Sequence, residues 1–97
     1  MLEALDGAWG PDVGFFGMLR ARRFSEAAGE GFLALLQSVE ISEGERLHSD
    51  FVRLVWFAPT FTEWQIDRAV EMGADRRKLE RISNLIQARI MEIFGTP

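Results

Sequence analysis

Apolar residues recur at helical spacing through the C-terminal quarter of the chain: Leu79, Ile82, Leu85, Ile86, Ile90, Ile93 and Phe94. Spacings of i, i+3, i+4 and i+7 predict an amphipathic helix with one broad stripe turned inward. Asp75 stands before it as an N-cap and Gly95 after it as a stop. At 1.5 Å per residue such a helix runs on the order of 30 Å, the width of a small domain. It is the clearest pattern in the chain and predicts a scaffold for the rest.

Weaker stripes precede it. Phe32, Leu35, Leu36 and Val39 predict a helix capped by Ser25, loosened in its first turns by Gly29 and Gly31. Phe15, Phe16 and Leu19 predict another, started at Gly10-Pro11-Asp12 and ending near Arg20, Arg22 and Arg23, where positive charge suits the helix dipole. Leu2, Leu5 and Trp9 are helically spaced, but Gly7 and Gly10 leave residues 1–10 ambiguous. Residues 41–46 read as a connection, with a helix start either at Ser42–Glu45 or at Ser49.

The run Phe51–Phe57 is β-branched and aromatic enough for a buried strand. No second strand is evident to pair with it, and a lone strand is unstable, so a helix buried on most sides is expected. Pro59 must end or kink that helix. Thr60-Phe61-Thr62-Glu63 fits a capping box, so a fresh helix is expected from Thr60 to Met72, stopped by Gly73. The predicted fold is all-α: one domain over residues 1–97, a compact bundle of four to five short helices packed on a long C-terminal helix.

Composition agrees with a packed core. Of 97 residues 47% are hydrophobic, including 8 Phe and 3 Trp, too much apolar content for a disordered chain. The absence of Cys excludes disulfides and thiolate chemistry, and a single His48 excludes a multi-histidine metal site within one chain. The acidic start Met1–Asp6 does not read as a secretory signal, and no apolar run is long enough to cross a bilayer, so a cytoplasmic protein without membrane attachment is expected. The net charge of −4 disfavours indiscriminate binding to phosphate backbones.

Four features bear on function. The first is the aromatic segment Phe51–Trp64, where Trp56, Phe61, Trp64 and Arg68 are expected to form a docking face if they are not simply core. The second is the wedge Glu63, Asp67 and Glu71, spaced i, i+4, i+8 on the same helix. It would meet a basic partner or else be an ordinary solvated face. The third is the cluster Arg76, Arg77, Lys78 and Arg81 after Ala69–Ala74. Its spacing resembles that of bacterial helix-turn-helix regulators over residues 66–82, which would imply DNA binding through these four bases. It departs from that pattern at Arg68, where a buried apolar residue is common. Local pairing of Arg76 with Glu80 and of Asp75 with Lys78 is the plainer account. The fourth is His48 beside Ser49 and Asp50, read as surface and capping residues because no nucleophile elbow or oxyanion loop accompanies them.

No catalytic residue, cofactor or metal site is expected. The leading expectation is a non-catalytic protein-binding module, of the immunity or antitoxin type, an adaptor or a small subunit. Its partner would be another protein or a second copy of the chain, with a DNA-binding regulator as the alternative.

Overall fold

Six helices and no strand occur among the residues that the computed structural model describes, 2–40 and 48–95. They are α1 (Leu2–Gly7), α2 (Phe15–Arg20), α3 (Glu26–Gln37), α4 (Ser49–Val55), α5 (Ala58–Glu71) and α6 (Arg76–Phe94). The amphipathic stripe does make α6 the longest, at 19 residues, and it buries Leu79, Ile82, Ile86 and Ile90. Its main packing partners are α5 and α3. The short helices α1, α2 and α4 form a second group, with α1 against α4 and α3, and α2 against α5 and α3. One hydrophobic core joins the two groups, from Leu5 and Phe16 through Phe32 and Phe61 to Ile86.

Several starts and stops follow the sequence. Ser25 Oγ accepts the amide of Ala28 at 3.1 Å, and Asp75 Oδ1 accepts that of Lys78 at 3.2 Å. Gly73 ends α5 with φ +101°, and the amides of Gly73 and Ala74 donate back to the carbonyls of Val70 and Ala69. α2 ends through the same pair of bonds, from Arg22 to Leu19 and from Arg23 to Met18. There the left-handed position falls to Arg22, at φ 63°. A side chain in that region costs roughly 1–2 kcal/mol that glycine avoids.

Other boundaries differ from expectation. α2 starts at Phe15, and residues 11–13 form a turn. The Phe16 amide donates to the Ala8 carbonyl at 2.8 Å, so the end of α1 lies directly across the start of α2. A Cβ on Gly14 would strike the carbonyls of Gly7 and Ala8, and one on Gly17 the carbonyl of Gly10. The glycines that weaken helix propensity here are what let the two segments touch.

α4 forms as a helix and begins at Ser49, but its N-cap is His48, whose Nδ1 accepts the Asp50 amide at 3.1 Å. The alternative start at Ser42–Glu45 lies outside the described residues. α5 begins at Ala58, two residues before the expected capping box, with Pro59 in its first turn. Helical amides there have no partner one turn back, so proline's missing donor is harmless. Thr62 is buried within α5 and its hydroxyl donates to the Ala58 carbonyl at 2.7 Å.

Three long-range hydrogen bonds from two side chains reinforce helix ends. Trp9 Nε1 donates to the Leu54 carbonyl at 2.8 Å, at the end of α4. Arg89 donates from Nε to the Leu36 carbonyl at 3.0 Å and from Nη2 to the Val39 carbonyl at 2.6 Å, beyond the end of α3. Cationic donors are favoured at helix C-termini, where carbonyls lack partners. No helix among the described residues is long and apolar enough to cross a membrane.

Candidate functional site

The aromatic residues form one connected series of rings running from core to surface. Phe32 meets Phe16 edge-on at 4.6 Å, and Phe16 stacks on Trp9 at 4.2 Å. Trp9 meets Phe61 at 5.2 Å, Phe61 meets Phe57 at 5.8 Å, and Phe57 meets both Trp56 at 5.2 Å and Trp64 at 5.3 Å. These separations are those at which ring pairs attract beyond simple burial. Phe16, Phe32 and Phe61 are buried and Trp9 and Phe57 half-buried, whereas Trp56 and Trp64 are 59% and 63% exposed.

The neighbouring helix α2 decides which ring is covered. Phe61 and Trp64 lie about 60° apart around α5, at roughly 100° per residue. α2 packs on the side that holds Phe61, and the Arg20 guanidinium sits 5.3 Å from its ring centroid. Phe61 is therefore only 5% exposed and is core, contrary to its expected place on a docking face. Trp64 lies beyond the reach of α2. Arg68 and Met72 follow Trp64 at successive turns and are exposed as well.

Beside Trp56 the surface dips into a depression of about 230 Å³ lined by Asp6, Trp9, Arg53, Leu54, Trp56 and Phe57. The floor is largely ring and aliphatic surface, and the ionic groups come from Asp6 on α1 and Arg53 on α4. On the other flank of Trp64 the wedge Glu63, Asp67 and Glu71 is exposed as expected. These acids stay on one helix face and do not converge. Among the described residues no group of three His, Asp or Glu side chains is close enough to hold a metal ion.

The basic cluster has a different environment. Arg76 donates to Asp67 at 2.9 Å and lies 3.5 Å from Glu80, and the bond to Asp67 raises its already high pKa. Lys78 pairs with Glu26 at 3.3 Å, and Arg81 with Glu30, both on α3. Of the two expected local pairs, Arg76–Glu80 forms, whereas Asp75 caps the Lys78 amide and the Lys78 ammonium reaches α3. Arg77 is exposed, with no ion pair among the described residues.

The contact between α5 and α6 also extends well beyond the turn that joins them. In a helix-turn-helix the helices cross at roughly 90–120°, which confines contact to the residues beside the turn. Here Arg76 meets Asp67 near the turn, while Glu63 and Ile66 share a shallow cleft with Glu80, Ser83, Asn84 and Gln87 some three turns along. The helices run alongside one another, and α3 flanks the bases of α6.

His48 is exposed and its Nδ1 is engaged as a cap, 4.0 Å from Asp50 Oδ2. Sequence reasoning missed Arg89 and Trp9, because their acceptors lie 45 to 53 residues away and no local pattern announces them. Gln65 was equally silent. It is 8% exposed, and its Oε1 has no hydrogen-bond partner among the described residues. No protein-family model matches the chain, and no characterised protein or solved structure is similar to it.

Proposed function

We propose that the chain is a non-catalytic protein-binding module that docks through Trp56, Trp64 and Arg68, with Phe57 and Met72 completing the apolar ridge and Glu63 and Glu71 along its acidic flank. The observation that carries this reading is the exposure of two tryptophans that rest on a ring series anchored in the core. Large rings held in place lose little conformational freedom on binding, which is why tryptophan and arginine dominate binding hot spots. A soluble domain gains nothing in stability from leaving such area in water. Asp67, expected in the partner set, already binds Arg76 and contributes less.

The test uses the whole chain, immobilised, and offered either extract of its source cells or more of the same chain. Wild type should retain a partner that a Trp56→Ala/Trp64→Ala variant with unchanged unfolding midpoint does not retain. Equal retention by both overturns the reading, and so does retention by neither.

A further inference from the structure

We propose that the occupant of the Trp64 ridge is a second copy of this chain, its α5 lying parallel to the first about a two-fold axis that runs along the helix. This rests on the ridge being a docking face and adds which surface docks there.

The argument starts from the order of side chains around α5. At roughly 100° per residue, the sequence around the helix is Glu63, Asp67, Glu71, Trp64, Arg68 and then Phe61. Arg20 of α2 lies over Phe61. The ridge therefore has an acidic flank on one side and a basic flank on the other. Asp67 is bound to Arg76. That leaves Glu63 and Glu71 facing one way, Arg68 and Arg20 the other, and none of the four has an ion-pair partner among the described residues. Local charge on the face thus balances, although the whole chain carries −4, so a copy approaching this face is not repelled.

Two-fold docking turns one face over onto the other. If the axis lies along α5, each flank lands on the opposite flank and each residue meets the same height along the helix. Glu71 of one protomer then faces Arg68 of its partner, and Glu63 faces Arg20, each pair occurring twice. Trp64 meets Trp64 at the centre, with Trp56 toward the N-terminal edge of the face and Met72, about 80° further round toward the basic flank, at its C-terminal edge. If the axis instead lies across the helix, acid is set against acid and base against base, which disfavours encounter. A different protein would need the same lateral asymmetry; a second copy has it by construction. Trp56, Trp64 and Met72 offer on the order of 400 Å² of exposed apolar surface, about half of the ~800 Å² that each partner buries in a standard interface. The polar flanks supply the remainder.

Sedimentation equilibrium on the full chain, from about 1 to about 200 µM, tests this in the range where an interface of modest size associates. A reversible dimer is expected. Trp64→Ala should weaken it by about tenfold or more, with unchanged circular dichroism and unfolding midpoint. Glu71→Arg and Arg68→Glu should each weaken self-association, and the two variants mixed should recover a 1:1 complex. A dimer indifferent to Trp64→Ala overturns the proposal, and so does a dimer that Trp64→Ala abolishes but mixing does not restore. A chain that stays monomeric while still retaining another protein through Trp64 overturns the second copy and leaves the docking face standing. A monomer that retains nothing removes both.

Discussion

The basic cluster on α6 and the aromatic cluster on α4 and α5 are equally conspicuous in sequence, but the fold treats them in opposite ways. Three of the four bases find acids on α3, α5 or α6 itself. The rings divide instead: Phe61 is taken into the core, Trp9 packs half-buried against it, and Trp56 and Trp64 are left on the surface. Composition marks where groups concentrate, and what remains available to a partner is whatever the chain's own helices fail to cover or neutralise. By that measure the aromatic ridge is the available surface, and the charged cluster is largely matched from within.

The largest effect should separate the tryptophans themselves. Trp9→Ala removes a ring stacked on Phe16 and the donor to Leu54, and should lower unfolding free energy by about 3 kcal/mol in urea titration. Trp64→Ala, at an exposed site, should change it by less than ~0.5 kcal/mol. Similar losses at both positions would mean that the ridge is structural and would end the comparison. Next, Arg89→Met should cost about 2 kcal/mol. Its side chain is 22% exposed and donates to two carbonyls, of which Val39's would lose its donor while Leu36's keeps the Val39 amide. Gln65→Leu should gain about 1 kcal/mol, because it removes an amide oxygen that is buried without a donor. The smallest change is expected for Arg81→Ala, within ~0.5 kcal/mol, since exposed ion pairs contribute little. The same variant, combined with Arg76→Ala and Arg77→Ala, should leave retention on a heparin column at low salt as weak as that of wild type. A strong wild-type retention that the triple variant abolishes would revive DNA binding.

Much of the architecture was legible because helical phase and capping are local properties. The stripe of α6, the Ser25 and Asp75 caps and the Gly73 stop all depend on residues within a turn or two of one another. The burial of Phe61 was not legible, because it depends on where α2 docks and a helical wheel holds no information about neighbours. The same holds for the Trp9–Leu54 and Arg89–Leu36 bonds, made across the fold. His48 was hidden for a different reason. Histidine is an uncommon cap, and Ser49 beside it satisfies the usual rule just as well.

The joint between α4 and α5 is two residues long, and Trp56 and Phe57 both keep right-handed helical backbone angles, φ −62°, ψ −34° and φ −89°, ψ −12°. The chain therefore passes from α4 into α5 without leaving the right-handed helical region, and Pro59 falls inside the first turn of α5. A single residue inserted or deleted here would swing Trp56 about 100° away from Trp64 and split the ridge. An exposed position outside the ridge, such as Thr60, is free to drift in evolution, but the length of the stretch is not. Chains descended from the same ancestor that keep the ridge should show no change in spacing between Val55 and Phe61.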